Sequence, residues 1–179
     1  MSWQVDYAHS EVTFSVKHMM ISTVRGRFDK FNVNVDFNEQ EPTRSSVEVQ
    51  IDAASINTKE ERRDGHLKSA DFLDVEHHPY ITFKSKRVEK IDDHRGQVIG
   101  DLTIRGISKE VALDVTYGGQ LKNPWGATMA AFSATAKINR TDWDLTWNQT
   151  LETGGILVGN DINVNIELEL VKQPEAVMA

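Results

Sequence analysis

Residues 162–170, Ile-Asn-Val-Asn-Ile-Glu-Leu-Glu-Leu, alternate apolar and polar side chains at every step. A period of two puts Ile162, Val164, Ile166, Leu168 and Leu170 on one face of an extended chain and Asn163, Asn165, Glu167 and Glu169 on the other. One dry face and one wet face is the habit of antiparallel sheets. An edge this regular, left unpaired, would invite aggregation through its open amides. The stretch therefore argues for a sheet closed on itself.

The same period recurs through the rest of the chain. Val12, Phe14 and Val16 alternate with Glu11, Thr13, Ser15 and Lys17; His18 keeps the inward phase before Met19-Met20-Ile21 break it. Arg25-Gly26-Arg27 restarts a strand that continues through Phe31, Val33, Val35 and Phe37. Further apolar faces are Val47-Val49-Ile51, Ile81-Phe83, Val98-Leu102-Ile104 and Val111-Leu113-Val115-Tyr117, and residues 127–138, ATMAAFSATAKI, form a strand of mostly small side chains. Glu41-Pro42-Thr43, residues 92–96, Arg105-Gly106 and residues 123–126 have turn chemistry. The predicted fold is all-β: an antiparallel up-and-down barrel of about eight strands, with a two-sheet sandwich as the alternative. It forms a single domain over residues 3–171, and residues 172–179 are expected to be a disordered tail.

One segment, residues 55–79, escapes the pattern. Thr58 followed by Glu61 has capping-box spacing, which predicts a helix over Lys59–Leu67. Ser69 suits the start of a second turn carrying Ala70, Phe72 and Leu73, and Pro79 ends the insert. A helical insert around residues 58–75 in an all-β chain is expected to cover an open end or edge of the sheet.

A length of 179 residues suffices for one domain with a substantial core. The net charge of −7 lacks the basic footprint of a nucleic-acid binder, and the absence of Cys excludes disulfides and thiolate chemistry. No apolar run approaches the roughly 20 residues of a membrane span. The opening residues lack a signal-peptide pattern, so the expected location is cytoplasmic.

Whether the interior is solid or hollow turns on small residues. The inward phase places Val16, Val33, Val49, Phe83, Leu102, Leu113, Phe132 and Ile166 inside, and Lys17, Asn34, Gln50, Lys84, Asp114 and Glu167 outside. A barrel of about eight strands either fills itself or holds one small ligand. The Ala-rich wall and the inward Gly100 leave room for a ligand.

Candidate chemistry is sparse. The six His lack metal-ligand spacing, so no metal is expected. Arg63-Asp64-x-His66 reads either as an acid/base group, with Asp64 and His66 at the barrel mouth, or as a buried ion pair anchoring the insert. His9-Ser10 has no nucleophile elbow around it and suits turn hydrogen bonding. Arg25, Arg27 and Arg140 fit either solvated strand ends or contacts to an anionic head group. Trp143, Leu145 and Trp147, at period two, fit either a hydrophobic plug or a ligand clamp.

Taken together, Asp6-x-x-His9-Ser10, Arg25-Gly26-x-Phe28, Arg63-Asp64-x-His66-Leu67, residues 71–75 (DFLDV), Pro79-x-Ile81-x-Phe83, residues 100–106 and Ile138-Asn139-Arg140 resemble the YceI-like family over about Trp3 to Val171. The resemblance implies a lipocalin-like barrel around an elongated apolar pocket, often in a homodimer. It implies non-catalytic binding of an isoprenoid lipid, either a polyprenyl phosphate or pyrophosphate or an isoprenoid quinone, in carriage, storage or stress response. The expected pocket residues are Phe14, Val16, Val33, Val35, Val49, Phe83, Leu102, Leu113, Phe132, Ala134, Ile166 and Leu168, with His18, Arg25 and Arg63 as head-group candidates. No cofactor is required, and transient membrane contact for lipid exchange is expected.

Overall fold

The computed structural model describes residues 3–149, 151 and 155–172. In chain order its strands are β1 (Trp3–Val5), β2 (Glu11–His18), β3 (Ser22–Phe28), β4 (Phe31–Asp36), β5 (Ser46–Asp52), β6 (Ile56–Asn57), β7 (Tyr80–Lys90), β8 (Arg95–Ile104), β9 (Ile107–Lys122), β10 (Thr128–Asn139) and β11 (Val158–Lys172). One α-helix, α1 (Glu61–Lys68), lies between β6 and β7. The strands form a single antiparallel sheet in the order β4-β5-β7-β8-β9-β10-β11-β2-β3-β6, with β1 also on β11. The sheet curls into a barrel. The regular segment 162–170 is indeed no edge: Ile166 faces Ala134 of β10 on one side and Val12 of β2 on the other. Lys172, assigned to the tail by the sequence, belongs to β11; residues 173–179 lie outside the described residues.

Among the described residues there are eleven strands rather than eight. Besides the short β1 and β6, the segment expected as one strand from Arg25 to Phe37 breaks at Asp29-Lys30. Those two residues turn to meet the chain after β5: Asp29 N donates to Ser55 O, Lys30 N to Ser55 Oγ, and the Asp29 carboxylate accepts from Arg27 and Asn57. As a result β3 and β4, neighbours in sequence, do not pair with each other. A side chain bridges the seam instead. The Tyr7 hydroxyl accepts from Val33 N (3.1 Å) and donates to Val33 O (3.4 Å), satisfying both backbone groups of a β4 residue. Tyr7 packs on Phe31 and Trp3 on Phe37 along the same line.

The insert closes one end of the barrel. Phe72 and Leu73 are buried, and Leu67 and Val75 lean on the core. Trp143 and Leu145, also buried, complete the plug, with Trp143 Nε1 donating to Leu102 O. The capping box, however, does not form. Glu60 is the N-cap of α1 and accepts from the amides of Arg62 and Arg63. Thr58 is buried and used differently: its amide and hydroxyl both donate to Asp64 Oδ1, while Arg63 donates to its hydroxyl and carbonyl oxygens. Arg63 and Asp64 thus grip Thr58 from two sides and do not form the buried ion pair expected between them. Asp64→Ala should cost about 2 kcal/mol, the loss of hydrogen bonds to a charged acceptor, rather than the larger penalty of an orphaned buried ion. A urea midpoint unchanged by this substitution would show that the insert is anchored elsewhere.

Two further readings are corrected by packing. Gly100 does not leave volume. It faces Ser85, where the register of β7 shifts, and a Cβ there would strike the Lys84 carbonyl and come within 2.7 Å of the Phe83 ring. Arg140 is neither solvated nor available to a head group. It is 2% exposed and donates to four carbonyls, those of Leu145 (2.6 Å), Trp147 (2.9 Å), Gly159 (2.9 Å) and Val158 (3.4 Å). Burial pulls its pKa below the usual arginine value.

Candidate functional site

Away from the plug, the barrel encloses a cavity of about 330 Å³, near the lower end of small-molecule pockets, typically ~300–1,000 Å³. Its walls are the inward side chains of the long strands, and it reaches solvent between the β4–β5 connection and the β7–β8 hairpin, where Gln40, Asp92, Asp93 and His94 stand exposed. Nine of the twelve expected pocket residues line it: Val33, Val35, Val49, Phe83, Leu113, Phe132, Ala134, Ile166 and Leu168. The small side chain of Ala134 opens the wall between Val115 and Ile166, its neighbours on β9 and β11.

Phe14, Val16 and Leu102 do not line the cavity. Phe14 lies over Gly26, whose missing side chain makes room for the ring, and packs with Phe28. The Leu102 carbonyl receives the Trp143 indole at the plugged end. Of the head-group candidates, Arg25 is exposed on β3, His18 ends β2 beside the β2–β3 turn, and Arg63 is bound to Thr58; none of them lines the cavity. Asp64 and His66 are not brought together either. Asp64 serves Thr58, whereas His66 Nε2 pairs with Asp71 at 2.9 Å and its ring stands edge-on to Trp147.

Phe132 was expected, but its aromatic partners near the mouth, Phe37 and Tyr117, were not among the expected pocket residues. Tyr117 stacks on Phe132 with centroids 5.0 Å apart, and Phe37 meets Phe132 edge-on at 5.1 Å. Both Phe37 and Tyr117 carried the inward phase in the sequence. Beyond Tyr117 an irregularity in the β9–β10 register, with Gly119 at φ +92°, brings Gln120 to the cavity mouth. The Gly118-Gly119 pair was its signal. Gln120 and Lys172 both donate to Glu39, at 2.7 and 2.9 Å, and these bonds hold the Glu39 carboxyl below its ordinary pKa.

One cluster was invisible to spacing. Asp6, His9 and Glu169 bring three candidate metal-ligand atoms within 4.8 Å of one another. Its tightest contact is an ion pair, His9 Nδ1 to Asp6 Oδ2 at 2.8 Å, in the turn that carries Tyr7 to the seam. Asp6 raises the His9 pKa through its hydrogen bond and charge, and His9 lowers that of Asp6. A raised histidine contributes stability that is complete below the unfolded pKa of about 6.5 and is lost as pH rises through the folded value. The lowered Asp6 loses its share only as pH falls through its own depressed pKa. The difference in melting temperature between wild type and His9→Gln should therefore be largest near pH 5–6 and shrink at alkaline pH. A difference that grows with pH would contradict the pairing.

Known proteins share this architecture. A family model described as YceI-like domain matches residues 3–170. The UPF0312 protein SA2479 of Staphylococcus aureus is 40% identical over 165 residues, covering 92% of this chain and 94% of its own. A crystal structure of the Campylobacter jejuni YCEI protein superposes with a TM-score of 0.76 at 36% identity, covering 97% of this chain and 99% of that one. A polyisoprenoid binding domain from Saccharophagus degradans, implicated in plant cell wall breakdown, shares the fold with a TM-score of 0.69 at 13% identity, over 97% of this chain and 99% of its own. With the family model spanning almost every described strand, the chain belongs to the YceI-like family.

Proposed function

We propose that this protein is a non-catalytic carrier of an isoprenoid lipid, holding the chain in the barrel with the head group at the mouth. The observation that carries this reading is the cavity: apolar along its walls, plugged at one end and open at the other. Burial of a hydrocarbon chain gains about 0.8 kcal/mol per methylene, so such a cavity needs few polar contacts to bind. The fold likeness to a polyisoprenoid binding domain supports the same class of ligand. Carriage of this kind calls for no cofactor, and Asp64 and His66, the residues of the acid/base alternative, serve separate structural partners.

An uncharged head group fits the mouth better than a pyrophosphate. Lys90, Arg95 and Lys172 are each paired with a carboxylate, of Asp93, Asp92 and Glu39, at 2.8 to 3.2 Å. A pyrophosphate would have to displace those acids in a chain of net charge −7. The favoured ligand is thus an isoprenoid quinone, with the Gln120 amide and His94 as polar neighbours for its oxygens. Native mass spectrometry of protein taken through gentle purification, followed by organic extraction, tests this. A co-purifying isoprenoid quinone at up to one per chain is expected; delipidated protein that takes up neither a quinone nor a polyprenyl phosphate would refute carriage. A homodimer and a cytoplasmic location are further parts of the proposal, checked by analytical ultracentrifugation and cell fractionation.

A further inference from the structure

Three large apolar side chains stand exposed on two hairpins at the open end. Ile91 is at the β7–β8 turn, while Leu121 and Trp125 belong to the β9–β10 hairpin; Trp125 is 88% exposed. The two hairpins lie side by side, with Tyr117 N donating to His94 O between them. The tip carrying Trp125 is fixed by its own bonds. The Asn123 side-chain oxygen accepts from the amides of Trp125 and Ala127, Gly126 N donates to Asn123 O, and Gly126 takes φ +84°. An indole held out in water by a rigid turn has no packing role in the barrel itself.

We propose that this end docks on the surface of a zwitterionic lipid bilayer, with Trp125, Leu121 and Ile91 entering the interface and the cavity mouth facing the lipid. The docking rests on the carrier reading above, which requires an apolar cargo to pass from a membrane into the barrel. Trp suits the head-group level, where its ring is partly dry and its N–H wet. Charge selects the kind of surface. The rim acids Glu39, Glu41, Asp92 and Asp93 are paired, in that order, with Lys172, Arg44, Arg95 and Lys90, so that apart from the exposed Lys122 next to Leu121 the approaching face is largely charge-compensated and cheaper to dehydrate than isolated charges. With −7 overall, an anionic membrane would repel the molecule. Attraction must then come from apolar burial, which survives salt, and three side chains give reversible rather than permanent attachment.

Trp125 itself reports the test. Delipidated protein is mixed with phosphatidylcholine vesicles carrying brominated acyl chains, and quenching of tryptophan emission is compared for wild type, Trp125→Ser, Leu121→Ser and Ile21→Ser. Ile21, 87% exposed at the β2–β3 turn by the plugged end, serves as the control. Quenching is expected in wild type and Ile21→Ser, undiminished by high salt. Trp125→Ser removes the reporter and sets the background from the less exposed Trp3, Trp143 and Trp147, while quenching should fall at least about fivefold in Leu121→Ser, as the loss of a buried apolar side chain requires. Absence of quenching in wild type, or an equal loss in Ile21→Ser, overturns the docking. Uptake of an isoprenoid quinone added from ethanol, with no vesicle present, is measured in parallel. Uptake without quenching leaves the carrier and removes the docking; quenching without uptake does the reverse.

Discussion

Arg140→Met should lower the stability of this protein by about 4 kcal/mol, which for a domain of this size corresponds to a fall of about 10 °C in melting temperature. Arg140 is 2% exposed, and its guanidinium donates to carbonyls from two separate segments, Leu145 and Trp147 on one side and Val158 and Gly159 on the other. It thereby ties the plug to the start of β11. Met fills a similar volume but leaves those acceptors without donors, and each buried acceptor without a partner costs about 1–3 kcal/mol. Arg140→Lys separates charge from geometry. A single ammonium has no fork to span both segments, so it should recover only part of the loss. Denaturant midpoints measure both variants. A loss below about 1 kcal/mol for Arg140→Met would mean that water or a rearranged loop replaces the guanidinium.

The second large effect is on ligand occupancy. Ala134→Trp should leave the delipidated protein folded with little change in melting temperature and should abolish copurification of the lipid. Ala134 lines the cavity between Val115 and Ile166, and an indole there would take the volume of the guest's chain. Excluding only three methylenes costs about 2.4 kcal/mol, or about 50-fold in affinity. In a filled core the same substitution would cost about 1–3 kcal/mol of folding stability instead. Melting of the delipidated variant, measured beside its lipid content, separates the two. A strongly destabilised variant, in a protein that never yields a ligand, would show that the barrel interior closes up in solution.

The residues missing from the expected cavity list show where one-dimensional reading stops. Phe14, Val16 and Leu102 have the same inward phase as Val33 and Leu113, but they lie toward the plugged end, where core side chains fill the barrel. Alternation tells inside from outside, because a one-residue slip would turn a strand's whole apolar set to water. It says nothing of height along the barrel axis, which depends on strand tilt and stagger. The arginines teach the same lesson for charge. Arg25 and Arg140 read alike in the sequence, yet one is exposed on β3 and the other is enclosed by carbonyls from segments up to nineteen positions away.

The sequence by itself determined the all-β class, the inward phase of the strands, the place of the helical insert and the family, since period, turn chemistry and motif order are local properties of the chain. Only the tertiary structure decided the bridging of the seam by Tyr7, the grip of Arg63 and Asp64 on Thr58, the end that is plugged, and the gathering of Asp6, His9 and Glu169. Those outcomes depend on which distant segments meet. Hydrogen-bond partners are assigned by whatever donors and acceptors burial brings within about 3 Å, regardless of their separation in sequence.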